Sequence, residues 1–317
     1  MQAYITRRLL LIIPTLLITT LVVFCVVRIV PGSIIDLMAS DMKATTQMDR
    51  DAIRHALGLD RPIYVQYGDY MWGLITRGDL GKSLWKNIPV TQEIFARIPV
   101  TLELGILGLI VGLVISIPIG IYSAMRQDTI GDYIARSFAI LLIAVPGFWV
   151  GTLVIVFPSV WWHWSPPLMY TPLTENPAEN LKQIIIPAII LGMAMSGTTM
   201  RMMRTMMLEV LRQDYIRTAW SKGLEEKTVI RKHALKNALI PVITIIGLWL
   251  PVVIEGAVIL EQIFNLPGIG RLLVESAFTR DYTIVSGLAL FIACGILIIN
   301  LFIDVIYGFL DPRVRFE

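Results

Sequence analysis

The sequence predicts an all-α protein threaded several times through a lipid bilayer, and three observations carry that prediction. Of 317 residues, 56% are apolar and only 16% are charged, with a mean hydropathy of +0.70; a soluble domain is about a quarter charged. The apolar residues gather into blocks long enough to cross the hydrocarbon core, which takes roughly 20 helical residues. The basic residues crowd some of the intervening segments and are sparse in others, the asymmetry that orients membrane helices.

Six spans follow in order: Leu9–Val30, Pro99–Ala124, Ile134–Pro158, Ile184–Met207, Ala238–Ile259 and Ile284–Leu310. The first, residues 1–30, reads as a retained helix. Its apolar run exceeds the roughly 7–15 residues of a signal-peptide core, and Pro31-Gly32-Ser33 follows without a small-x-small cleavage pattern. Residues 31–98 form a long loop whose acids and bases balance, and long loops translocate largely regardless of charge. Ala52–Leu57 before Gly58 reads as a short helix with a glycine stop, and Gly78, Gly81 and Pro89 punctuate the rest. We expect a small external helical cap there. Residues 99–310 then form a five-helix core, and 311–317 a tail.

Orientation follows from the bases. Arg7 and Arg8 precede the first span, and Arg126 lies in the second loop. The fourth loop holds Arg201, Arg204, Arg212, Arg217, Lys222, Lys227, Arg231, Lys232 and Lys236, and Arg313 and Arg315 close the chain. The third and fifth loops hold only Lys182, Arg271 and Arg280. Both termini and the even-numbered loops are therefore expected in the cytoplasm. A net charge of +3 without a basic stripe beside base-reading groups gives no nucleic-acid signal.

Bond-making chemistry finds no support. Gly81-Lys82-Ser83 resembles the end of a phosphate-binding loop, but Thr76 stands where that motif needs glycine. His55, His163 and His233 fall in different loops, and Cys25 and Cys294 sit within spans; neither set has metal-ligand spacing. No catalytic residue, metal site or bound cofactor is expected. Met193, Met195, Met200, Met202, Met203, Met206 and Met207 run around their helix without one shared face, which suits a flexible lining or helix contact. Ionisable groups inside a membrane usually face a partner or a watery path. Arg28, near the outer end of its span, can snorkel; Glu103 begins the second span, Glu261 lies just beyond the fifth and Asp304 lies in the inner half of the sixth, while Glu255, in the outer half of the fifth, is the leading pathway candidate, with Met193 and Met200 as further ones. Pro118, Pro146, Pro158, Pro187, Pro241 and Pro251 predict kinked helices.

The most patterned loop is 208–237. Leu208–Lys222 reads as a helix, Gly223 supplies a left-handed stop, and Glu225 and Glu226 open a second helix with Arg231, Lys232 and Lys236 in its later turns. Ala219, Leu224, Val229 and Ile230 are available for an apolar contact ringed by charge. Such a helix–glycine–helix elbow can fill a groove on a partner; a solvated positive-inside loop is the alternative.

Asp214-Tyr-Ile-Arg-Thr-Ala-Trp-Ser-Lys-Gly223 with Ile240-Pro241 resembles the cytoplasmic loop of permeases of binding-protein-dependent ABC importers. Gly223 matches that loop's glycine and Ala219 its second alanine, while Arg217 and Thr218 replace the leading Glu and Ala, as in the dipeptide/oligopeptide branch. Gly58-Leu-Asp-Arg-Pro62, Gly78-Asp-Leu-Gly-Lys-Ser83, Pro146-Gly-Phe-Trp149, Phe264-Asn-Leu-Pro-Gly-Ile-Gly270, Arg280-Asp-Tyr282 and Leu310-Asp-Pro-Arg313 also look like that branch. The long first loop resembles that of the first of its two permeases. The resemblance implies a type I importer fold in a bacterial inner membrane, half of a pore completed by a second permease. It implies two ATPases below, holding ATP and Mg, and an extracytoplasmic binding protein above. Residues 217–236 would enter the ATPase groove, with Arg217, Thr218, Ala219, Lys222, Gly223, Leu224, Val229 and Lys232 making the coupling contacts. The implied solute is a di- or oligopeptide; nickel chelates, glutathione and oligosaccharides are alternatives. An ion-coupled secondary transporter and a membrane scaffold are readings of a different class.

Overall fold

The computed structural model describes residues 2–29, 51, 54–55, 60–167 and 169–310, and among them no strand occurs. Eleven helices follow in order. They are α1 (Gln2–Ile29), α2 (Ile63–Arg77), α3 (Val90–Met125), α4 (Ile130–Ala144), α5 (Gly147–Trp162), α6 (Pro177–Leu211) and α7 (Asp214–Ser221). A single turn, α8 (Glu226–Thr228), leads through a π-helical segment (Val229–Ala234) into α9 (Leu235–Ile263), then α10 (Ile269–Phe278) and α11 (Tyr282–Leu310). The expected helix at 52–57 falls largely outside the described residues, as does the tail.

Among the described residues, three helices are long and apolar enough to cross a membrane: Val90–Met125, Pro177–Leu211 and Tyr282–Ile303. The third expected span is not one rod. It is α4 and α5, bent by 88° at Val145–Pro146. Proline disfavours helical backbone at the residue before it, and Val145 is accordingly extended (φ −89°, ψ 119°). Counting the bent pair as one crossing brings the described spans to four. In α1 the described apolar stretch is Leu10–Val26, and α9 runs for 29 residues. A count of six rests on reading these two as further crossings.

The chain divides into two compact units. The first comprises residues 1–99 and 267–301. Within it α2 folds back on α1: the ring of Tyr67 meets Phe24 edge-on at 5.1 Å, and its hydroxyl lies 3.1 Å from Thr20 Oγ1. Within the stretch where a cap is expected, α2 is a 15-residue helix lying against α1. A second feature joins two separated sequence motifs. Asp281, 2% exposed, accepts hydrogen bonds from Ser83 Oγ (2.6 Å), Leu84 N (3.1 Å) and Ile284 N (3.3 Å). Ser83 therefore braces the start of α11. Hydrogen bonds to a charged acceptor contribute about 1.5–3 kcal/mol each, and buried donors left unpaired are penalised further. Asp281→Ala should lower the unfolding midpoint of the purified chain by several degrees. Asp281→Asn, which keeps an acceptor oxygen, should lose less; scanning fluorimetry in detergent checks both.

The second unit comprises residues 100–266 and 302–317. Helix α3 shows why it belongs in lipid. Leu104, Gly108, Gly112, Ser116, Gly120 and Ala124 recur every fourth residue and are all buried. The face carrying Leu102, Ile106, Ile110 and Val114 is 49–67% exposed and wholly apolar. Small residues inward and large apolar ones outward is the membrane pattern, since lipid tails give no hydrophobic reason for helices to associate and packing must do it. The partner is α6. A Cβ on Gly192 would stand 2.5 Å from Gly108 O and 2.8 Å from Gly112 N, so the two backbones touch.

Candidate functional site

The elbow between α6 and α9 is built on an apolar seat. Met203 and Met207 from the last turns of α6, Ile216 and Ala219 from α7, Val229 and Ala234 from the π segment, and Ala238 and Val242 from α9 form one buried cluster with Ala124 of α3. Seven of these are fully buried: Met203, Met207, Ile216, Val229, Ala234, Ala238 and Val242. The hydroxyl of Tyr215 accepts from Asn237 Nδ2 at 2.8 Å, tying α7 to α9. Gly223 closes α7 with φ +72°, a conformation that side-chain-bearing residues rarely adopt. Six residues of π-helix then widen the backbone, a local rearrangement frequent at functional sites.

This arrangement sorts the expected coupling residues. Arg217, Thr218, Lys222, Gly223, Leu224 and Lys232 are exposed. Ala219 and Val229 are not: at 6% and 0% exposure they belong to the seat. Sequence reading set them outward because their apolar character suits either role, and only the fold says which. The outward apolar groups are Trp220 (42% exposed) and Leu224 (37%). Beside them Glu225, Glu226, Lys227, Ile230 and Arg231 line an open, shallow concavity. The Arg217–Asp214 pair, 3.5 Å apart with both side chains exposed, contributes little to holding the elbow. The elbow thus has an apolar underside that fastens it and a mixed apolar and charged upper face left open.

The pathway candidates separate as well. The side chain of Glu255 lies outside the described residues. Met193 lines an apolar cavity of about 280 Å³ at the α4–α5 bend, with Leu142, Val145, Trp149, Ile190 and Ala194 among its walls. Met200 does not reach it: 2% exposed, it packs with Ala139 and Leu142. Three of the seven methionines share a face, while Met193, Met202 and Met206 lie off it, half-buried. Met200, Met203 and Met207 are buried at spacings of three and four residues, one stripe of α6.

Two polar groupings escaped the sequence reading. Asp132, in the first turn of α4 and 0% exposed, takes both arms of Arg204 from α6, Nε to Oδ1 at 2.9 Å and Nη2 to Oδ2 at 2.7 Å. Ser123 Oγ and the Asp128 backbone N–H donate to the same carboxylate. Bidentate pairs of this kind fix orientation as well as adding energy. At the other end of α6, Asn180 donates to Glu103 Oε2 (3.2 Å), which also accepts from Tyr170 OH (3.0 Å). Burial first, and then this carboxylate beside it, push the Tyr170 phenol up to about 12, so it stays a donor.

Long helices with exposed apolar faces and a bent span are the architecture of a membrane protein. The chain belongs to the family of binding-protein-dependent transport system inner membrane components: residues 116–316 match it, and residues 1–105 match its N-terminal family. It is similar to the oligopeptide transport system permease protein AppB of Bacillus subtilis, 42% identical over 320 residues covering 100% of both chains. It is also similar to the dipeptide transport system permease protein DppB of Escherichia coli, 37% identical over 338 residues covering 99% of each. A crystal structure of an amino acid ABC transporter shares the fold, with a TM-score of 0.52 and 15% identity over 70% of this chain and 94% of that one.

Proposed function

We propose that this chain is one permease of an ATP-driven importer of di- or oligopeptides, and that its elbow is the surface on which an ATPase subunit acts. The observation carrying this reading is the two-sided elbow. Its seat joins α3, α6 and α9, so a force applied to the open face reaches three helices at once. The open face offers Trp220 and Leu224 beside the charged groups of the concavity, the combination of anchor and orienting charge that docking uses. A second permease completes the pore, a second ATPase serves it, and a binding protein delivers the solute from outside. ATP and Mg sit on the ATPases, and this chain binds no cofactor. The bias of basic residues supports cytoplasmic termini and a cytoplasmic elbow. The peptide substrate rests on the likeness to AppB and DppB.

The test is reconstitution. The chain is co-expressed with a sister permease, two ATPases and a binding protein from neighbouring reading frames, placed in liposomes, and offered radiolabelled trialanine. Uptake should require ATP and the binding protein, and photocrosslinks from position 224 should land on an ATPase. Uptake by the lone chain under an ion gradient, or crosslinks that never reach an ATPase, rejects the reading. ATP-dependent uptake of a nickel chelate, glutathione or an oligosaccharide in place of the peptide would keep the importer and change its solute.

A further inference from the structure

The Asp132–Arg204 pair has a geometry that goes beyond holding two helices together. It rests at the elbow end of α6, immediately beside Met203 and three residues from Met207, both part of the elbow's seat. Seven residues further from the elbow along α6, Gly197 presses against α4: a Cβ there would stand 2.7 Å from Ala139 O. Ala139 is likewise seven residues from Asp132. The two helices are therefore antiparallel and in register, fastened once by an ion pair and again, two turns on, by backbone contact. Beyond the second fastening, Leu142 of α4, Val145 just past its end and Ala194 of α6 line the cavity at the 88° bend.

Two fastenings on one rod leave it no independent freedom to slide or rotate. A 15-residue helix spans roughly 22 Å at 1.5 Å per residue, which is the length from elbow to bend. The extended residue Val145, followed by Pro146, is the point of this α4–α5 span where the helical hydrogen-bond ladder is interrupted.

We propose that Asp132 and Arg204 are positioning residues for energy coupling: they clamp α4 to α6, so that displacement of the elbow is delivered to the Pro146 bend and changes the cavity there. This rests on the elbow being the ATPase contact, as proposed above. The apolar contacts of Gly197 and Met200 on Ala139 and Leu142 are gathered at one place along α4 and by themselves make a pivot, about which α4 could turn. The ion pair, two helical turns away, converts the pivot into a rigid arm. Its charge-assisted bidentate geometry and the two extra donors on Asp132 oppose rotation, which apolar contact at one place would not.

The experiment reads the bend directly. In the reconstituted complex with Cys25 and Cys294 replaced by alanine, Ala194→Cys reports access to the cavity through its rate of reaction with N-ethylmaleimide. That rate should differ about tenfold between the nucleotide-free and vanadate-trapped complexes. Asp132→Asn, and separately the gentler Arg204→Lys, should reduce the difference to less than twofold while ATP hydrolysis stays within twofold of the parent. Arg204→Lys keeps the buried charge and decides the matter if Asp132→Asn fails to assemble. A labelling difference that survives both variants, or is missing from the parent complex while it hydrolyses ATP, overturns the clamp. Failure of the parent to bind ATPases at all instead rejects the proposed function, so the two failures are distinguishable.

Discussion

Gly192→Val should prevent the chain from accumulating in a folded, detergent-extractable form. The reason is geometric. The first added carbon would lie 2.5 Å from one carbonyl oxygen and 2.8 Å from one amide nitrogen, and the obstacle in both cases is backbone of α3, which cannot rotate away as a side chain can. Overpacking against movable neighbours costs about 1–3 kcal/mol; here α3 and α6 must separate, and their association is the packing that membrane helices rely on. Fluorescence-detected size exclusion should show the monodisperse peak replaced by aggregate. Gly295→Ala is the control. A Cβ there meets nothing within 4 Å, and the exchange should be neutral or stabilising by up to about 1 kcal/mol, the difference in helix propensity. A folded Gly192→Val chain with an unchanged unfolding midpoint would show that α3 and α6 do not touch in the membrane as described.

That contact was legible and passed over. Gly108, Gly112, Ser116 and Gly120 are spaced by four in the sequence, a small-residue ladder that marks a helix interface. The apolar reading of α3 saw only a span, because mean hydropathy ignores side-chain size. The helical class, the family and the glycine stop at Gly223 were legible because each is a local pattern, whereas the helix expected over Leu208–Lys222 is two, α6 ending at Leu211 and α7 starting at Asp214. Pro146 was legible as a kink but not as an 88° turn, since proline removes a constraint without specifying what replaces it. Asp132 and Arg204 were not legible. They lie 72 residues apart, and an arginine near a span end is fully accounted for by topology until a fold supplies its partner. The Ser83–Asp281 brace is the same case: two short motifs were recognised separately, and nothing in either pointed to the other.

The buried positions Ala219 and Val229 and the exposed pair Trp220 and Leu224 now predict opposite kinds of loss. Trp220→Ser with Leu224→Asp should leave the chain folded, because both side chains are substantially exposed and neither belongs to the seat. The same double variant should strip the ATPases from the complex. A tryptophan anchor at an interface contributes about 2 kcal/mol or more, a factor of roughly 30 in affinity at 1.4 kcal/mol per tenfold, and a carboxylate at position 224 opposes docking as well as removing contact. Co-purification of ATPases should fall below about a tenth of the parent level, with trialanine uptake falling in proportion. Val229→Asp should instead unseat the elbow: it puts a charge into a site of 0% exposure, where burial without a partner is strongly unfavourable, and the chain itself should lose stability. Equal ATPase recovery from parent and double variant would move the docking surface elsewhere. Loss of ATPases from the double variant with an unchanged unfolding midpoint would leave the open face of the elbow as the coupling surface, because no effect on the chain's own packing could produce it.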